Sequence, residues 1–587
     1  MTIWFDIAEG LSELILELTE NIEGFEDGFT PDVRTADPRF GDYQANGVLP
    51  YAKSQRTNPR ALGEKLVAAL KECPELDLEL IEISIAGPGF INFTLKPAFL
   101  FQWIATYRSP EQIAKAASEL HKGQKIVVDY GSPNTAKQLH VGHLRTLVIG
   151  EAIRRMLAFA GATVTGDNHI GDWGTGFGML IMAIKRKGYD LDNPGENALD
   201  ELEQLYKWGS AEAKESEESL AEARAELVKL QAGDPENVGI WEAINTISSN
   251  AFQSLYDRLG VQFDYELGES FYRDKVDRVY EELGEAGIST LSEGAQVVFH
   301  PEHPRFKEQP FIIRKSDGAS NYASTDLATA LYRLEAFNAD EIVYVTDGRQ
   351  RDHFEQLFLT VEKWFKAREY KLPKLHHVWF GTILGEDGKA IKTRSGDPIR
   401  LKALLDEARD RSYAIVDEKN ADLPEDEKQN IAEVVGVSAI RYADLMQNRT
   451  NDYTFSWQKL LSMDGNTAPY MLYAVARIKS IFRKAEVAID DALTSAAPLE
   501  TDTEIALARK LSAFPITLDM AISDLRPHHL CTYLFELTGV FSSFYNADKV
   551  NVEDTAIKAR RLMLCQRTLT ILETGLSLLG IPTLERM

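Results

Sequence analysis

Lys125–Arg145 reads KIVVDYGSPNTAKQLHVGHLR. Its first five residues form an apolar run ended by Gly131, Ser132 and Pro133, the pattern of a buried parallel strand and its exit loop. A helix is predicted next. Leu144, Val148, Ala152, Met156 and Ala160 share one face, and Gly161 stops it. ATVTGD (Ala162–Asp167) is again strand-like and leads into the glycine-rich HIGDWGTGFG (His169–Gly178). Strand, loop, helix and strand in this order predict an α/β fold with a doubly wound parallel sheet. Strand patterns return at EIVYVTD (Glu341–Asp347) and HHVWFGTIL (His376–Leu384).

Outward from this centre the pattern changes. Residues 1 to about 110 hold two helical patterns, a polar turn-rich stretch over 26–60, and the β-like Leu80–Leu95 around GPGF (Gly87–Phe90). Residues about 190–240 read as a solvated, acidic helical insertion, away from every motif. From about residue 430 helical periodicity dominates to the end. No solenoid repeat or low-complexity linker interrupts the chain.

The 587 residues carry 64 Lys+Arg against 90 Asp+Glu, a formal net charge of −26. Such a balance argues against a bulk nucleic-acid coat, because phosphate binding needs a local cation excess. That excess exists locally, at Lys389, Lys392, Arg394, Arg400 and Lys402, and again at Arg477, Lys479, Arg483 and Lys484. Three cysteines, Cys73, Cys531 and Cys565, form no CxxC pair; neither structural zinc nor a disulfide framework is expected, and a reducing compartment fits. No metal-ligand cluster is read. No apolar run approaches the roughly 18–20 residues that span a bilayer. The N-terminal stretch lacks a basic leader pattern, so a soluble cytoplasmic protein is expected.

His140 and His143 flank Val141 and Gly142 where the strand exit meets a helix N-terminus. Unpaired N–H groups there favour negative charge, and glycine permits close approach of a nucleotide. Two imidazoles can donate to phosphate oxygens as charge builds on phosphorus. Two carboxylates, Asp129 and Asp326, stand at the predicted carboxyl edge of the sheet. Tyr322 lies one helical turn before Asp326, on the same face. A planar guanidinium with five N–H donors is the ligand such carboxylates suit.

The stretch Ser132, Pro133, Asn134, Thr135, Ala136, Lys137, Gln138, Leu139, His140, Val141, Gly142, His143 resembles the HIGH motif of class I aminoacyl-tRNA synthetases. It is most similar to the form in arginyl-tRNA synthetases. The likeness runs in order from about residue 38 to 587, through YASTD, KTRSG and the terminal LLGIPTLERM. It implies a Rossmann-type catalytic domain, an α+β N-terminal domain and an all-α anticodon-binding domain. The corresponding boundaries are 1–110, 120–380 with the insertion at about 190–240, 381–435 for the loop and connecting stem, and 436–587. It also implies L-arginine, ATP with Mg²⁺ and tRNA(Arg) as substrates, no tightly bound metal, a requirement for tRNA in arginine activation, and a monomer.

Site residues follow from the same resemblance. GEDGKAIKTRSGDPIRL (Gly385–Leu401) resembles the family's KMSKS loop, with Lys392, Thr393, Arg394 and Ser395 at its centre. The second lysine of that motif is out of register here, and the family resemblance assigns its role to Lys137 and Arg394, with Lys392 as a helper. ATP falls to His140, Gly142, His143, Thr393 and Ser395. Arginine falls to Asp129, Asn134, His140, Tyr322, Asp326 and Gln350. Phe90, Asn92, Tyr473, Arg477 and Met587 are implied tRNA contacts. Asp172 and Trp173 match a segment beside the family's active site, and GESFY (Gly268–Tyr272) matches without an assigned role. Two rivals remain at this level: a class I enzyme for another amino acid, and a non-catalytic tRNA-binding paralogue.

Overall fold

Four parallel strands lie in the order Lys374–His377, Glu341–Tyr344, Lys125–Asp129 and Thr163–Asp167. Val128 stands opposite Val343 on one side and Gly166 on the other. Ile126, Val127, Val128, Ile342 and Val343 are all buried, as a sheet covered on both faces requires. The structure is a computed structural model that describes residues 3–26, 28–392, 398–490, 493–495 and 497–587.

Helix Val141–Phe159 follows strand Lys125–Asp129 in the chain and buries Leu144, Val148, Ala152 and Met156 against the sheet. Each of the Leu, Val and Met side chains contributes about 1.5–3 kcal/mol by leaving water. Gly150 lets the helix close on the strand exit, because a Cβ there would sit 2.4 Å from the Tyr130 ring. The far side of the helix is bolted to the end of helix Glu425–Leu445 and the residues that follow it. Buried Arg145 pairs with buried Asp444 at 3.1 Å and donates to the Asn451 carbonyl at 3.2 Å. The Tyr453 hydroxyl donates to the same carboxylate at 3.1 Å.

A four-stranded antiparallel sheet, ordered Val33–Thr35, Tyr43–Ala45, Phe90–Leu95 and Ile81–Ala86, forms the N-terminal part. The Leu80–Leu95 segment is its hairpin, turned by Gly87 and Gly89, both at positive φ. Two of these strands fall inside the stretch read as turns, since three residues are too few to show alternation. A three-stranded antiparallel sheet, Ser289–Ser292, Ala295–Val298 and Phe311–Arg314, likewise escapes the sequence pattern. Helices Glu425–Leu445, Ala468–Ala485, Asp502–Ser512, Phe514–Ser523, His528–Ala547 and Thr555–Leu578 make up most of the C-terminal part. Among the described residues no helix is long and apolar enough to cross a membrane, and the three cysteines are free and buried.

The insertion is helical, at Ala198–Glu215, Glu217–Gln231 and Pro235–Leu259. It is less solvated than its composition suggests. Leu202, Leu230 and Ile244 pack with Phe177, Leu180 and Ile181 of helix Thr175–Lys187 in a core of their own. Nor does it keep away from the motifs, because one face of Ala198–Glu215 meets the Lys137–His140 segment.

Candidate active site

The loop after strand Lys125–Asp129 is held in an unusual backbone conformation. Ser132 and Ala136 adopt φ of 48° and 60°, left-handed values that cost L-residues about 1 kcal/mol or more each. Fixed partners hold them there. The Ser132 N–H donates to Asn168 at 2.9 Å and the Ala136 N–H to the Ser248 hydroxyl at 2.9 Å. Pro133 and Thr135 exchange backbone hydrogen bonds with Gly171, which brackets Asn134 between them. A Cβ on Gly171 would lie 2.1 Å from the Asn134 side-chain oxygen. The glycine of HIGDWG therefore makes room for an expected substrate contact.

His140 caps helix Val141–Phe159. Its Nδ1 accepts from the Gly142 N–H at 3.0 Å, and His143 Nδ1 accepts from the His140 N–H at 3.2 Å. The two rings lie 4.1 Å apart, centroid to centroid. Gly142 is required by His140 itself, since a Cβ there would press within 2.7 Å of the ring. Burial lowers the His140 pKa and drives that of His143 to about 3. Both rings are therefore neutral near pH 7. With Nδ1 accepting, each neutral ring carries its proton on Nε2 and presents a donor.

The expected arginine-binding residues divide into two groups. Tyr322 opens helix Tyr322–Phe337 and is 70% exposed, with Asp326 one turn further on. His353 Nε2 is 2.6 Å from Asp326 Oδ2 and fixes that carboxylate. Gln350 ends a one-turn 3₁₀ helix and is exposed. Asp129 differs from expectation. Its carboxylate is 2.7 Å from the buried guanidinium of Arg333, which also pairs with Asp167 at 2.8 Å. Ser132 Oγ lies 3.4 Å from the other Asp129 oxygen. A carboxylate occupied by a resident guanidinium is not a free fork for a second one.

Glu269, unlike Asp129, has no Lys or Arg partner among the described residues. It belongs to the short helix Glu269–Tyr272, within GESFY. Burial, reinforced by Asp172 and Asp326, pushes its carboxyl up to about 8. Among the described residues no Lys or Arg pairs with Glu269 or Asp326. Asp172 holds the short helix in place by accepting from the Ser270 N–H at 2.8 Å and the Ser270 hydroxyl at 2.5 Å. Trp173 packs edge-on against Trp241 and beneath Arg273, so it braces the wall. Sequence reading singled out the GESFY segment but left Glu269 without a role, because four helical residues carry no periodicity.

On the nucleotide side, Thr393, Arg394 and Ser395 lie outside the described residues. Lys392 bridges Pro398 across that gap. The flank returns beside the histidines: Val141 N–H donates to the Ile399 carbonyl at 2.8 Å and Leu401 N–H to the Leu139 carbonyl at 2.9 Å. Lys137 sits 4.8 Å over the Tyr206 ring of the insertion. Several cations of this stretch are neutralised locally. Lys402 pairs with Asp406 at 2.7 Å, and Arg400 with Asp200 at 2.5 Å.

In the C-terminal part, Tyr473, Arg477 and Met587 converge on a cavity of about 300 Å³, joined by Arg483, Lys484, Tyr545 and Arg586. Arg477 stacks over Tyr545 at 4.5 Å. Lys479 does not contribute to this cationic rim. It is buried and paired with Glu573 and Glu585 at 2.9 and 2.6 Å, anchoring the terminal segment. Asn92 is also turned inward. It is 3% exposed and accepts from Gln44 at 2.7 Å across the sheet, which replaces the expected tRNA contact with a cross-strand one. Phe90 is half-buried at the hairpin. A larger apolar cavity, about 480 Å³ beside Tyr442, Phe455 and Leu460, contains none of the expected site residues.

Three family models match the chain in sequence. "tRNA synthetases class I (R), catalytic domain" covers residues 110–457, "Arginyl tRNA synthetase N terminal domain" 7–95, and "DALR anticodon binding domain" 471–587. The chain belongs to the arginyl-tRNA synthetase family. Within that family it is 42% identical to the arginine–tRNA ligase of Aliivibrio fischeri over 559 residues, covering 94% of this chain and 95% of that one. It is also 42% identical to the Escherichia coli K12 ligase, over 95% of this chain and 96% of that one. Two solved arginyl-tRNA synthetases share the fold. That of Thermus thermophilus gives a TM-score of 0.81 at 25% identity, covering 99% and 100% of the two chains. That of Plasmodium falciparum gives 0.79 at 28%, covering 99% of each. Glu269 and Asp326 fall in the synthetase catalytic match, and Tyr473 to Met587 in the anticodon match.

Proposed function

We infer that the chain is an arginine–tRNA ligase. It uses ATP to convert L-arginine to arginyl-adenylate and passes the arginyl group to the 3′-terminal adenosine of tRNA(Arg). One observation carries the amino-acid assignment: Glu269 and Asp326 are half-buried carboxylates that influence one another and, among the described residues, lack a Lys or Arg partner, beside Tyr322. A substrate guanidinium fills that vacancy with charge-assisted hydrogen bonds. Asp129, neutralised by Arg333, closes the floor of the pocket. Asn134 and Gln350 hold the backbone polar groups of arginine.

The arginine carboxylate attacks the α-phosphorus of Mg²⁺-bound ATP in line, and pyrophosphate leaves. His140 and His143 donate through Nε2 as charge builds. Gly142, Thr393 and Ser395 complete the nucleotide contacts, and Lys137, Lys392 and Arg394 take the charge of the departing pyrophosphate. The 2′-hydroxyl of the terminal adenosine then attacks the adenylate carbonyl and releases AMP. No side chain becomes covalently bound; rate comes from positioning and charge stabilisation. Phe90, Tyr473, Arg477 and Met587 face the tRNA. The enzyme acts in the cytoplasm as a monomer, and it activates arginine only with tRNA bound.

ATP–pyrophosphate exchange across a panel of amino acids, with and without tRNA, tests this reading. Exchange with arginine alone, in the presence of tRNA, is the expected result. Faster exchange with another amino acid would reassign the pocket. Tight tRNA binding without any exchange would make the chain a non-catalytic paralogue.

A further inference from the structure

Asp200, Glu203 and Tyr206 stand three residues apart on helix Ala198–Glu215, so they share one face. That face covers the segment before His140. Asp200 accepts from Gln138 Nε2 at 3.1 Å and pairs with Arg400 at 2.5 Å. Glu203 lies 3.5 Å from the other terminal nitrogen of Arg400. Lys137 sits over Tyr206. Arg400 is bridged through its backbone to His140. The insertion thus touches two consecutive motif residues and the flank of the loop that follows the described gap.

The chemistry of the two contacts differs in a useful way. A carboxylate beside Lys137 would satisfy its donors and cancel its charge. An aromatic face orients the ammonium through the ring quadrupole and leaves its N–H groups available for phosphate oxygens. Asp200 does the opposite for Arg400 and Gln138. It ties two chain segments, far apart in sequence, to a single carboxylate. We propose that Tyr206 and Asp200 are positioning residues for adenylate formation. Tyr206 presents Lys137 to the triphosphate, and Asp200 fixes Arg400 and Gln138 around the same nucleotide. This rests on reading residues 132–143 as the nucleotide site.

Steady-state ATP–pyrophosphate exchange with the full chain and saturating tRNA tests it. Tyr206→Leu should lower kcat about tenfold with the KM for arginine unchanged, while Tyr206→Phe, which keeps the ring, stays within about twofold of the parent. The loss should vanish in a Lys137→Met background. Asp200→Ala should raise the KM for ATP about fivefold, with partial recovery in Asp200→Glu. Equal losses in the Leu and Phe variants, additivity with Lys137→Met, or an unchanged KM for ATP in Asp200→Ala would each overturn the proposal. The Leu–Phe comparison among folded variants, checked by thermal unfolding, separates positioning from simple destabilisation. His140→Ala is the control for the underlying reading: if it retains full exchange, the nucleotide site itself is misplaced, whatever the insertion variants do.

Discussion

The proposed amino-acid pocket and the terminal cavity are charged by opposite means. In the pocket, Glu269 and Asp326 are sheltered and lack a Lys or Arg partner among the described residues. Around the cavity, Arg483, Lys484 and Arg586 are exposed and gather beside Tyr473 and Tyr545. A sheltered anionic vacancy is selective, because only a small cation of the right shape restores the lost solvation. An open cationic rim is additive and salt-screened, suited to phosphates whose positions vary. The net charge of −26 describes neither region.

The contrast can be broken most severely at Asp326. Asp326→Ala should reduce kcat/KM for arginine about 1,000-fold in pyrophosphate exchange, through loss of a sheltered charge-assisted contact. Asp129→Ala attacks the neighbouring carboxylate, whose partner is internal. It should cost about 3 kcal/mol of stability in denaturant unfolding, because Arg333 keeps only Asp167. Glu269→Gln should raise the KM for arginine about 100-fold. Glu269 also gives the pocket a pH signature. A cation needs the ionised carboxyl, so arginine affinity should rise with pH and level off above about 8. The Gln variant should lose that slope. The raised pKa also favours the protonated ligand-free fold, so the associated stability should fade as pH rises from the ordinary carboxylate range through about 8. Tyr473→Ala acts on the other region and should raise the KM for tRNA about tenfold while sparing arginine and ATP. The smallest effect belongs to Asn92→Ala: about 1 kcal/mol of stability, read by thermal unfolding, with tRNA affinity unchanged.

Local patterns made the central strand, its loop and helix Val141–Phe159 legible, because each announces itself within one element. Tyr322 and Asp326 were legible for the same reason, being one turn apart. What stayed hidden depends on pairing across the fold. Arg333 reaches Asp129 over 204 positions, and no periodicity in either segment foretells it. Glu269 gains its meaning from Asp172 and Asp326, neither of them local. The insertion looked solvated because charged residues are dense along it, yet Asp200 and Tyr206 occupy the one face that meets the motif. Asn92 alternates as a strand residue should, but alternation does not say that Gln44 lies opposite.

In the proposed reaction, the paired imidazoles of His140 and His143 carry a consequence for selectivity between reaction stages. Being neutral, they exert little pull on ATP before bond making starts. Their attraction grows only as negative charge accumulates on the oxygens around the reacting phosphorus. Two fixed cations in their place would grip the resting nucleotide as firmly as the activated one, and that energy would deepen the well instead of lowering the pass. Burial of the rings, which holds the His143 pKa near 3, is thus a way of saving attraction for the moment of transfer.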